Sequence, residues 1–148
     1  MENSDLFICV DHVGVAVPDM ESALKFHTEV MGWRLLHRET NTEQGVEEAM
    51  LGTGQQLPES TQVQLLAPLS PESTVGKFIE GNKGRGGLHH VCYRVADIDA
   101  VCATLRERGV QLLYDQPRIG TAGSRIQFMH PKSTGGLLIE LAQLGQHA

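Results

Sequence analysis

The order of secondary-structure signals constrains this chain more than any single residue, because one pattern of strand, helix and three strands occurs twice. Residues 8–17 read as a strand, and 20–31 carry an apolar helical stripe with Asp19 placed to cap its start and Gly32 to end it. The runs WRLLHRE (33–39), EEAMLG (47–52) and QVQLLAP (62–68) supply three more strands. The second pattern opens on LHHVCYRV (88–95), continues through a helix capped by Asp97 and ended by Gly109, and closes on VQLLYDQ (110–116), SRIQFMHP (124–131) and GLLIELAQL (136–144). The expected fold class is α+β: two βαβββ modules, 6–69 and 86–144, in one domain of 148 residues. The linker, 70–85, holds a short helical run, STVGKFIEG, and the glycine-rich GNKGRGG. One helix cannot cover both faces of a four-stranded sheet, so the two sheets are expected to curl together round a shared cleft.

Sliding DHVGVAV (11–17) onto HHVCYRV (89–95) places His12 on His90, and VQLLA (63–67) onto IELAQ (139–143) places Gln64 on Glu140. Side chains alternate along a strand, so His12, Gly14 and Ala16 share one face, as do His90, Cys92 and Arg94, while His89 points the other way. The valines opposite read as core beneath helices, and the histidine faces read as the lining of a concavity. A lone strand histidine is more often packed or solvated than a ligand. A glutamate in LLIELA is harder to explain so, because an unpaired buried carboxylate is costly. Two imidazoles, an amide oxygen and a carboxylate at equivalent positions form a mixed N/O set that suits Co²⁺, Mn²⁺, Ni²⁺ or Zn²⁺ with positions left for substrate.

Composition narrows the partners. A net charge of −6 argues against nucleic acid, and no apolar run is long enough to span a membrane. The start MENSDLFICV has no basic region before its apolar patch, so a cytoplasmic location is expected. Cys9, Cys92 and Cys102 lack the spacing of a disulfide framework or a zinc site and read as reduced thiols.

The duplicated pattern with His/Gln and His/Glu resembles the vicinal oxygen chelate superfamily, which includes glyoxalase I, extradiol dioxygenases and bleomycin-resistance proteins. More narrowly, nearly the whole chain resembles the bacterial methylmalonyl-CoA epimerase family, through EQGVEEAML (43–51), TQVQLLAP (61–68), STVGKFI (73–79), GLHHVCYRV (87–95) and RERGVQLLYDQPRIGTAGSRIQFMHPKSTGGLLIEL (106–141). That resemblance implies a curved eight-stranded sheet around a metal-centred cleft, and a divalent ion, Co²⁺ foremost, on His12, Gln64, His90 and Glu140. It further implies an acyl-CoA thioester as substrate, epimerisation at C2 through an enolate, a place in propionate metabolism, and a homodimer. Its catalytic glutamate falls on Glu48 rather than Glu47; the two-fold layout suggests Glu140 as the counterpart on the opposite face of the substrate, with a metal-bound water as the competitor. Ser124, Arg125 and Lys132, in the family-specific GSRIQFMHPK, are expected to touch substrate, with Lys77, Lys83 and Arg85 as further cationic candidates for coenzyme A. The rivals are a metal-free binder, a glyoxalase acting on a glutathione hemithioacetal and an iron dioxygenase; EQGVEEAM favours the epimerase over each.

Overall fold

The computed structural model describes residues 6–55 and 60–145, so residues 56–59 of the expected first module and the first five of MENSDLFICV lie outside the described residues. The chain divides into two compact units, His12–His89 and Met1–Asp11 with His90–Ala148. The linker thus packs with the first module, while the N-terminal segment packs with the second.

In the unit His12–His89 the strands are β1 (Cys9–Ala16, from His12 onward), β2 (Arg34–Asn41), β3 (Val46–Gly52) and β4 (Gln62–Pro68), in the order β2-β3-β4-β1. The β4–β1 pairing is parallel and the other two antiparallel. Alternation divides the core in two. Val15, Val17, Ala49, Leu51, Val63 and Leu65 pack against Met20 and Leu24 of α1 (Met20–Lys25) and against Trp33. Ala16, Val46 and Leu66 turn to the other face and meet Val75, Phe78 and Ile79 of α2 (Thr74–Gly81). Only part of the His12 face is therefore open to line a concavity, since α2 covers its Ala16 end. Two glycines let α2 and its exit loop come that close. A Cβ on Gly76 would stand 2.5 Å from the Ser70 carbonyl oxygen, and one on Gly86 2.4 Å from that of Ala16.

The first helix is shorter than its apolar stripe. Asp19 caps it as expected, accepting from the Glu21 N–H at 3.0 Å. After Lys25 the chain widens into a π turn over Phe26–Val30. His27 Nδ1 lies 2.8 Å from the Ala23 carbonyl and the Thr28 hydroxyl donates to that of Leu24 at 2.8 Å, so side chains compete for the carbonyls a continuing α-helix would use. The Met31 N–H bonds back to Phe26, and Gly32 ends the element at φ +76.

In the second unit β5 (Gly87–Arg94, from His90 onward), β6 (Arg118–Ile119), β7 (Arg125–Met129) and β8 (Ile139–Gln143) run in the order β5-β8-β7-β6. The β5–β8 pairing is parallel and the others antiparallel. α3 (Ile98–Glu107) sets Ile98, Val101, Cys102 and Leu105 against Val95, Met129, Leu141 and Leu6. Its start is held twice: Asp97 accepts from the Ala100 N–H at 3.1 Å, and Gln143 Oε1 from the Ile98 N–H at 2.9 Å. Leu6 belongs to this core, and the Ile8 N–H donates to the Arg94 carbonyl at 2.8 Å, which is why the N-terminal segment joins this unit.

The expected strand over 110–116 does not form. That segment touches β7 through one bridge, Leu112 with Met129, and then leaves it. Tyr114 meets a side chain instead: its N–H donates to Gln127 Oε1 at 3.0 Å and its carbonyl accepts from Gln127 Nε2 at 2.9 Å. The Gln127 amide imitates a strand partner, and the antiparallel ladder resumes only at β6.

Candidate metal centre and proton-transfer residues

The internal alignment is in register in both units. In the first, Gly14 pairs with Gln64 across β1–β4; in the second, Cys92 pairs with Glu140 across β5–β8. Each sits two residues past its histidine, so each unit carries the same diagonal of an imidazole from its first strand and an oxygen donor from its last.

Within His12–His89, the row through Gln64 contains Gly14 and Met50, and the next row contains Ala16, Leu66 and Glu48. His12, Glu48 and Gln64 therefore project from one face, and all three are buried. Glu47 goes to the opposite face. There the Arg38 Nε donates to its Oε1 at 2.6 Å, and Arg38 also pairs with Glu21 of α1. The two acids together raise the Arg38 pKa, Glu21 first.

Within the second unit, His90, Cys92 and Arg94 share a face with Glu140, Ala142, Ile126 and Phe128. His90 Nε2 lies 3.3 Å from Glu140 Oε1, both side chains are buried, and the His90 ring meets the Phe128 ring edge-on at 6.3 Å between centroids. Burial first, then the charges of Glu140 and Asp11, pushes the Cys92 thiol up, so it is held neutral. His89 turns away, edge-on to Phe78 at 5.1 Å.

Of the residues in GSRIQFMHPK expected to touch substrate, Arg125 and Ser124 hold partners within the protein. Arg125 alternates onto the α3 face, opposite to Glu140, and donates to both carboxylate oxygens of Asp99 at 2.8 and 3.0 Å. That pairing lowers the Asp99 pKa. Strand parity in RIQFM carried this signal and was overridden by the motif. Ser124 is buried, and its hydroxyl donates to the Thr121 carbonyl at 2.8 Å, closing a 3₁₀ turn. Lys132 is exposed; its backbone N–H donates to His130 Nδ1 at 3.0 Å.

Two polar groups escaped the sequence reading. Gln127, fully buried, had no periodic signature that distinguished it from an exposed strand residue. Arg94 was visible on the His90 face, but its partner was not: Asp11 accepts from its Nε at 2.9 Å across 83 residues of chain.

Residues 11–128 match the Glyoxalase/Bleomycin resistance protein/Dioxygenase superfamily. The chain belongs to that superfamily. The likeness to solved structures extends over nearly the whole sequence. A crystal structure of a methylmalonyl-CoA epimerase is 59% identical, with a TM-score of 0.93 over 97% of this chain and 100% of that one. A methylmalonyl-CoA epimerase in complex with methylmalonyl-CoA and NH4+ is 41% identical, with a TM-score of 0.86 over 94% of this chain and 96% of the other. The mitochondrial methylmalonyl-CoA epimerase of Mus musculus is 37% identical over 134 residues, 90% of this chain and 72% of that protein.

Proposed function

We propose that this chain is a methylmalonyl-CoA epimerase, interconverting the (2R) and (2S) forms of methylmalonyl-CoA by moving a proton at C2. The reading rests on the buried Glu48 on the same sheet face as His12 and Gln64, in a chain 59% identical to a methylmalonyl-CoA epimerase. His12 and Gln64 from one unit and His90 and Glu140 from the other would hold one divalent ion. The donors fit it: two imidazoles, an amide oxygen and a carboxylate buried between Ile139 and Leu141 make a mixed N/O set of the kind a divalent ion takes. When bound, the ion supplies Lewis-acid stabilisation of the negative charge that deprotonation creates on the thioester.

The protein's own residues carry the proton. Glu48, with Leu66 next to it and α2 beyond, takes the C2 proton on one face of the substrate and returns it there in the reverse direction. Among the described residues the other buried carboxylates are Asp11 and Glu140. Asp11 is engaged by Arg94, so Glu140 serves the second face. The register supports this choice. The position equivalent to Glu48 in the second unit is Ile126, in the row of Arg94 and Ala142, and it offers no acid.

The same reading extends to Co²⁺ as the preferred ion, a homodimer, a place in propionate metabolism and residence in the cytoplasm. Exposed Phe26, Val30 and Leu35 support the dimer as surface for a second copy to cover. Among the described residues no helix is long and apolar enough to cross a membrane. The test is a proton spectrum of methylmalonyl-CoA in D₂O with the Co²⁺-loaded protein. Loss of the C2 proton signal with no new product is expected; an unchanged signal, or conversion to another compound, refutes the reading.

A further inference from the structure

We infer that Arg94 is a positioning residue that keeps the Asp11 carboxylate from competing for an ion held at His90 and Glu140. This rests on the metal-assisted reading above.

The argument is one of charge and reach within the unit of Met1–Asp11 and His90–Ala148. Arg94 stands four residues beyond His90 on the same strand face. Its Nε donates to Asp11 Oδ1 at 2.9 Å, and a terminal guanidinium nitrogen lies 2.9 Å from the same oxygen. Both side chains are almost buried, at 13% and 9% exposure, so this is not a solvated surface pair. The Asp11 carboxylate also lies within 4.8 Å of Cys92 Sγ, and Cys92 is the register partner of Glu140.

A second carboxylate within 4.8 Å of Cys92, the register partner of Glu140, is a hazard to the proposed chemistry. A carboxylate binds a divalent ion more strongly than a neutral amide oxygen does, and one extra ligand closes a position the substrate's oxygens need. Arginine suits the guard's role because it is never deprotonated at working pH and presents several donors in a rigid fork. Two of those donors converge on one Asp11 oxygen. Glu140, on the paired strand β8, is left to the ion.

The experiment compares Arg94→Met, Asp11→Asn and the double variant by Co²⁺ titration, visible absorption and C2-proton exchange. Arg94→Met releases a carboxylate: Co²⁺ should bind at least ten times more tightly with an altered visible spectrum, while exchange falls at least thirtyfold, chiefly through KM. Asp11→Asn should hold Co²⁺ within threefold of wild type, and the double variant should restore the wild-type spectrum and affinity. Equal effects of the two single variants, with no restoration in the double, would show a plain structural ion pair and overturn the inference. Arg94→Gln keeps a donor to Asp11 without the charge and guards against misfolding. It should shift the spectrum in the same direction, and wild-type spectra in both folded variants would also overturn the inference. Wild type that binds Co²⁺ but exchanges no proton sinks the epimerase reading alone, because the Co²⁺ titrations still decide the role of Arg94. Wild type that binds no Co²⁺ overturns both.

Discussion

Glu47 and Glu48 are adjacent and chemically identical, and β3 gives them opposite fates. Alternation made it legible that one of them faces the donors, but the partner that occupies the other was hidden, since Arg38 lies on a different strand and Glu21 on a helix. The difference has a kinetic consequence. Removing a general base lowers a rate by roughly 10²–10⁴-fold. Glu48→Gln should therefore cut kcat for C2-proton exchange into that range while the bound Co²⁺ stays unchanged. Glu47→Gln should leave exchange within about twofold, because general acid–base losses of that size require contact with the transferred proton. Parallel kinetics of the two variants with metal analysis check both; equal losses would contradict the assignment. Arg125 sits in a family-specific motif, yet its strand parity sends it to Asp99 on the α3 face.

At the scale of elements, helix starts were legible and strand ends were not. Asp19, Ser73 and Asp97 each accept from a backbone N–H two or three residues on, a local signal that needs no tertiary context. The segment 110–116 has the composition of a strand, but the groups that decide its conformation are the amide of Gln127 and the backbone of Tyr114, brought together only by the fold. Replacing Gln127 with Leu leaves the Tyr114 N–H and carbonyl without that amide. The variant should lose about 1–3 kcal/mol by urea denaturation and become susceptible to protease near 113–117. Unchanged stability would show that the clamp is dispensable.

α3 carries a pH signature of its own. Burial, its largest cause, raises the Cys102 thiol pKa, with Arg106 opposing. A group whose folded pKa lies above its unfolded value contributes stability below the unfolded pKa and loses it as pH rises beyond. The thermal midpoint should thus decline once pH passes about 8.5, the ordinary thiol range. Cys102→Ala should decline less steeply; equal slopes would show that this thiol does not set the decline.

For the whole molecule, duplication explains why so much was readable. The pairings Gly14 with Gln64 and Cys92 with Glu140 repeat one register in two units, so each half of the sequence served as a template for the other. Where the halves differ, the template failed: Ile126 stands where the first unit has Glu48, and Gln127 where it has Ala49. The N-terminal segment shows the same limit, since Leu6, expected in the first module, packs in the core around α3 through contacts no local pattern announces. In the proposed mechanism the two halves act as one enzyme because a single ion draws donors from each. Counting Co²⁺ per chain in wild type, His12→Ala and His90→Ala tests this most directly. One ion per chain in wild type and none in either variant is the predicted result, whereas full Co²⁺ occupancy in a folded His12→Ala or His90→Ala protein would contradict it.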